Sequence, residues 1–137
     1  MPGYSGTPLP KKLGIKIGFR VVLVGMPPEV KAELAEALAG CKLVKDGTGP
    51  LDFAMVFASR QAELKQQLAG LKAGLAPAGM VWVSWPKKAS GVVTDMNEND
   101  VRRIGLEAGL VDVKVCAVSE AWSGLKFVRR VKDRLIG

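Results

Sequence analysis

The chain has 137 residues, 48% apolar and 24% charged, with a net charge of +7 and a pI near 9.7. That balance excludes a disordered chain and fits one globular domain, long enough to bury roughly two-thirds of its unfolded surface. There is no histidine, and Cys41 and Cys116 are the only cysteines, so histidine general bases, histidine-based triads and the usual zinc sites are excluded together.

Residues 1–18 form a Gly/Pro-rich leader with lysines, a composition that resists regular structure. Two outcomes stand open for it: a free tail, or a segment strapped over the domain so that Tyr4, Leu9, Leu13 and Ile15 are not wasted as apolar surface. Residues 19–132 are read as a single α/β domain. Phe19 to Gly25 is its first buried strand, and Pro27 and Pro28 open a helix whose stripe is Val30, Leu34 and Leu38, with Gly40 as the stop. Cys41 to Val44 is a stubby extended piece, followed by the turn Asp46-Gly47-Thr48-Gly49-Pro50.

Leu51 to Ala58 is a second apolar strand. Ser59 is positioned to cap the next helix, whose stripe is Leu64, Leu68, Leu71 and Leu75. Pro77-Ala78-Gly79 then reads as a turn into Met80 to Trp85, the most apolar strand and the expected centre of the sheet. Pro86 ends that strand, since it cannot donate to a ladder. After a loop with Lys87, Lys88, Ser90 and Gly91, Asn97 caps a third helix with Asp100 in its first turn, and Gly109 ends it. Val111 to Val118 alternates Val111, Val113 and Val115 against Asp112, Lys114 and Cys116, the pattern of a half-exposed strand. Only six residues, Ser119 to Gly124, lead into Leu125 to Val131. That is too short for a parallel crossover, so the two strands form an antiparallel hairpin. Residues 133–137 are a solvated C-terminal tail. The element order predicts a three-layer α/β/α sandwich, with a mostly parallel sheet and a C-terminal antiparallel hairpin.

Leu13-Gly14-Ile15-Lys16, Gly18 and Arg20 to Gly25 together resemble the lead-in to the Rossmann-like S-adenosylmethionine-dependent methyltransferases. Leu71 to Val83 is similar to their helix, Pro-Gly turn and fifth strand, and Ala108 to Val113 to the start of their sixth. The fuller pattern, Tyr4 to Lys16 with Trp85 to Gly91, resembles a small bacterial family of undefined function. The resemblance implies a reduced methyltransferase-like Rossmann fold and places any cofactor contact at Gly25 and Met26. The departures are specific. Leu23 stands where a cofactor-loop acid would be, Pro27 and Pro28 remove backbone donors, and the second strand is too cramped to bring Asp46 to a ribose. On these grounds no cofactor is expected, and S-adenosylmethionine is disfavoured.

In open α/β sheets ligands sit beyond the carboxyl ends of the strands. Lys87, Lys88, Ser90, Gly91, Arg60 and Ser59 are the candidate anion-binding residues on that rim, with Trp85 and Trp122 either stacking on a ligand or capping the core. Cys41 and Cys116 read as small buried hydrophobes. No catalytic or metal-ligating residue is assigned. The expected function is a non-catalytic binding or regulatory module for an anionic small molecule or a protein partner. Its alternatives are a divergent S-adenosylmethionine-dependent methyltransferase and a nucleic-acid-binding protein. No apolar run approaches the ~20 residues of a membrane span, and the free cysteines fit a reducing cytoplasm.

Overall fold

The computed structural model describes residues 7–134. Tyr4 and the end of the tail lie outside the described residues. One mixed sheet has the order β2-β1-β3-β4-β6-β5, built from β1 (Arg20–Val24), β2 (Lys42–Val44), β3 (Leu51–Phe57), β4 (Leu75–Pro86), β5 (Leu110–Ala117) and β6 (Trp122–Arg129). β1, β2, β3 and β4 pair in parallel, whereas β6 pairs antiparallel with both β4 and β5. The first, third and fourth strands are therefore parallel neighbours with the hairpin beside them, as the sequence predicts.

Helices cover both faces. On one face α1 (Leu9–Leu13) and α2 (Pro28–Ala39) pack Leu9, Leu13, Val30, Leu34 and Leu38 onto Val21, Phe53, Met55 and Trp82. On the other, α3 (Gln61–Lys72) and α4 (Glu98–Glu107) pack Leu64, Leu68, Val101 and Ile104 onto Val22, Val56, Val83 and Phe127. α1 is the second half of the leader. Its five residues are too few to hold a helix in water unaided. Docking holds it: Leu13 is fully buried, and the Trp82 indole N–H donates to the Leu13 carbonyl at 2.9 Å.

Four local expectations need correction. First, β4 begins at Leu75, not after a turn at Pro77–Gly79. Leu51 pairs with Leu75 and Phe53 with Met80, so residues 76–79 bulge out of a continuing strand and Pro77 sits where no ladder bond is required. Second, Ser59 does not cap α3. Arg60 holds the cap position without a side-chain bond, and the Gln61 amide donates instead to Asp95 Oδ1 at 2.8 Å, a cap supplied from another loop. Third, the β5 valines do not form a buried face. The register slips between Asp112 and Lys114, leaving Val113 and Val115 54% and 45% exposed. Fourth, the tail opens with a one-turn helix, α5 (Val131–Arg134).

β2 is only three residues long and pairs with the first half of β1. The turn after it packs under the far end of α3, where Gly47 and Gly49 lie against Gly70 and Gly74. The chain thus returns from β2 to β3, on the other side of β1, without a helical crossover, because β2 stops halfway up the sheet.

Candidate functional site

Since β1, β3, β4 and β5 run the same way, their carboxyl ends share one rim. Gly25-Met26, Ser59-Arg60, the loop after Pro86 and the β5–β6 turn all lie on it. Two clefts open there, one on each face of the sheet.

The first is an open cleft of about 510 Å³ at the exit of β4. Trp85 and Met96, 6% and 5% exposed, make an apolar floor with Pro86. Lys87 and Lys88 line it on the β4 side, while Thr94, Asn97 and Ser123 add polar groups from two other segments. Local chemistry fixes each wall. A single 3-10 turn over Lys88–Ser90 carries the chain away from β4, and Gly91 closes it with φ +77°, a conformation that favours glycine. Asn97 and Asp100 form a reciprocal capping box at the start of α4, with both bonds at 2.9 Å. Thr94 Oγ1 donates to the Ser59 carbonyl at 2.7 Å, tying the α4 approach to the end of β3.

Glu98 also lines this cleft, but both it and nearby Asp100 are already engaged. Glu98 pairs with Arg102 at 2.8 Å, and Asp100 lies 3.6 Å from Arg103. All four ion pairs among the described residues run to Arg102 or Arg103, and neither Lys87 nor Lys88 enters one. The cleft is therefore cationic in net effect, beside a helix N-terminus whose dipole has the same sign.

The second cleft, about 330 Å³, lies between α2 and the β5–β6 turn and is lined by Glu29, Glu33 and Glu120. The rim is thus basic on one face and acidic on the other. Among the described residues, no group of three or more cysteines and carboxylates is placed to hold a metal ion.

The structure brings together only part of the expected anion set. Lys87 and Lys88 line the cleft. Ser59 touches it only through Thr94. Arg60 is exposed at the start of α3, and Ser90 spends its hydroxyl on the Val92 amide at 3.1 Å. Trp85 is core-capping, and Trp122 packs edge-on against Phe57 with ring centroids 5.1 Å apart. Thr94, Met96 and Ser123 escaped the sequence reading because they join the cleft from distant segments. The run Thr94-Asp95-Met96-Asn97, polar except for one residue ahead of a helix, was the available hint.

Both thiols are half-buried, and burial pushes both above their usual range, though Lys12 and Lys114 pull Cys116 partly back. Ser84, fully buried on β4, has a hydroxyl with no hydrogen-bond partner among the described residues.

At the cofactor end, Gly25 has φ +68°, and a Cβ there would lie 2.9 Å from the Phe57 carbonyl oxygen. Only glycine fits, so the close-approach glycine that ends the first strand is retained. Asp46 does not reach the rim. It lies in the turn beneath α3, where its carboxylate accepts from the Thr48 amide and hydroxyl, bonds that hold it below the usual carboxylate range.

Residues 10–131 match a family described as "Protein of unknown function (DUF3052)". The chain belongs to that family. No curated protein matches the sequence. Among solved structures, this DUF3052 chain is similar to a SAM-dependent methyltransferase from Aquifex aeolicus, with 17% identity, a TM-score of 0.59 and 85% of each chain covered. It is also similar to magnesium protoporphyrin IX methyltransferase from Synechocystis PCC 6803 with bound SAH, at 14% identity and TM-score 0.57, covering 83% of this chain and 75% of that one. The same enzyme with bound SAM gives 15%, 0.57, 89% and 74%. At these identities the likeness establishes the methyltransferase-like Rossmann fold.

One expectation is overturned here. The absence of a cofactor, with S-adenosylmethionine disfavoured, was inferred from Leu23, Pro27 and the missing second-strand acid. Solved structures of similar fold hold bound SAH or bound SAM, so the fold does not support an expected absence of that cofactor.

Proposed function

We propose that this chain is a ligand-binding domain on a methyltransferase-like scaffold, and that it captures an anionic group in the cleft at the exit of β4. The observation that carries this reading is the charge arithmetic of that cleft. Lys87 and Lys88 stand outside the described ion pairs, whereas Glu98 and Asp100 are matched to arginines. The apolar floor of Trp85 and Met96 favours a ligand with a hydrophobic or flat body behind its anionic group. Cytoplasmic action is part of the proposal, since both cysteines are free.

A second reading, a divergent S-adenosylmethionine-dependent methyltransferase, is favoured by Gly25 and by the ligands of the Synechocystis structures. In it Gly25 and Met26 would border the cofactor, and the lysine cleft, two strands away in the sheet, would hold the acceptor substrate. Positioning two substrates can supply most of the rate of a methyl transfer, so the lack of histidine is no obstacle.

One screen tests both: ligand-observed NMR and thermal shift against SAM, SAH, nucleotides and phosphorylated metabolites. Replacing Lys87 and Lys88 with alanine should weaken anion binding roughly tenfold or more, at about 1 kcal/mol per partly solvated contact, while barely moving the melting point. Unchanged anion affinity in that double variant would refute the first reading. SAM binding that survives it but is lost in Gly25→Ala would support the second.

A further inference from the structure

The outer strand of the hairpin carries chemistry that the rim does not use. β5 ends the sheet, so its outer edge has no neighbouring strand among the described residues. Lys114 on β5 lies directly opposite Lys126 on β6, a like-charge cross-strand pair that is destabilising on its own. Lys114 Nζ donates to the Lys12 carbonyl at 3.4 Å, and Lys12 Nζ reaches the Ala117 carbonyl at 3.1 Å. Three lysines therefore collect on the α1 face of the hairpin, and none of the ion pairs among the described residues involves Lys114 or Lys126. On the opposite face Val115, paired with core residue Leu125, stays 45% exposed, and Val113 beside it is 54% exposed.

We propose that β5 is a docking edge for an extended acidic segment of a partner protein, which adds to the sheet as a further strand. An added strand sends alternate side chains to opposite faces. Its carboxylates would meet Lys114, Lys126 and Lys12, and its apolar residues would cover Val115 and Val113. Main-chain bonds supply affinity in this mode, and the alternating side chains supply specificity. The charge pattern selects among occupants. A second copy would bring another lysine-bearing edge against this one in a protein already carrying +7, and a phosphate backbone would leave the valines bare. The bulge and the edge lysine both discourage indiscriminate pairing. That leaves Lys114–Cys116 open to a segment whose charge offsets the lysines, the Ala117 carbonyl being taken by Lys12.

The test uses the full chain and a fluorescein-labelled peptide of alternating Glu and Val, read by anisotropy and by amide chemical shifts. Shifts should fall on residues 113–117, and a proline at the peptide's centre should abolish binding by removing a ladder donor. Lys114→Glu should weaken the Glu-Val peptide at least tenfold and gain binding of the Lys-Val counterpart. Lys114→Gln, which cannot swap charge, should weaken the first without gaining the second. Thermal melts confirm that both variants fold. The proposal is overturned if Lys114→Glu binds as the wild type does, if the shifts fall around Lys87 and Lys88, or if an oligonucleotide of equal charge binds this strand more tightly. Dimerisation through β5 would overturn it as well.

Discussion

Replacing Leu13 with alanine should destabilise the whole domain, although the residue belongs to a Gly/Pro-rich leader ahead of the first strand. Leu13 is fully buried against the face that carries Trp82. Truncation removes three carbons, each worth about 0.8 kcal/mol of transfer, and the cavity left behind raises the total to about 3–4 kcal/mol. With a urea slope of about 2 kcal/mol/M for a domain of this size, the unfolding midpoint should fall by roughly 1.5–2 M. Tryptophan fluorescence reads that midpoint directly, because Trp82 lies under α1. Hydrogen exchange gives a second readout. The Lys12 and Gly14 amides, bonded to the Pro8 and Pro10 carbonyls at 3.0 Å, should lose protection before the sheet does. A midpoint within 0.3 M of wild type, outside the range these magnitudes allow, would show that α1 is not docked and would refute the reasoning.

Three further outcomes follow from single residues. Ser84→Ala should leave stability unchanged or raise it by about 1 kcal/mol, since it removes a buried hydroxyl that has no partner among the described residues; a clear loss in a thermal melt would mean that Ser84 is bonded after all. Gly25→Ala should cost about 1–2 kcal/mol from the left-handed backbone alone, and more from the Phe57 carbonyl, so an unchanged melting point would contradict the tight turn after β1. Arg102 donates to Asp112 at 2.9 Å and holds its carboxyl below the usual carboxylate range. A depressed carboxylate adds stability above its unfolded pKa and loses it as pH falls through the folded value. Asp112→Asn should therefore lower the melting point at neutral pH, and its deficit should close below about pH 4; a deficit constant from pH 7 to pH 3 would show that the pair is not the cause.

The parts of the fold set by local rules were legible from the chain. β1, β3 and the upper half of β4 are continuous apolar runs because both faces of the sheet are covered, and α2 announces itself through Val30, Leu34 and Leu38. The hairpin follows from a connection too short for anything else. Register was not legible. Pro77 and Gly79 carry the chemistry of a turn, yet the chain continues as strand because a bulge absorbs them beside Leu51. The same effect exposes Val113 and Val115, whose alternation promised burial. Ser59 had the right side chain for a cap and lost the role to Asp95, which tertiary structure brings to the Gln61 amide. At the rim, two adjacent lysines after an apolar strand were visible in advance, whereas Thr94, Met96 and Ser123 share a wall only once three segments converge. The cofactor expectation failed for a related reason: it rested on substitutions around the first turn, whereas solved structures of similar fold hold SAH or SAM.

The bonds that seat α1 also set an order of events during synthesis. Leu13 waits for Trp82, 69 residues downstream, and Lys12 for Ala117, 105 residues downstream. At a translation rate of about 5–20 residues per second, that second wait lasts on the order of 5–20 s. Through that interval Leu9 and Leu13 can meet α2 and the first strands but lack the contacts that complete their seat. A segment that leaves the ribosome ahead of the sheet is thus fully seated only after the hairpin is made. A nascent chain stalled before the hairpin would leave Trp82 without the cover of Val118 and Trp122, an apolar surface of the kind that chaperones bind.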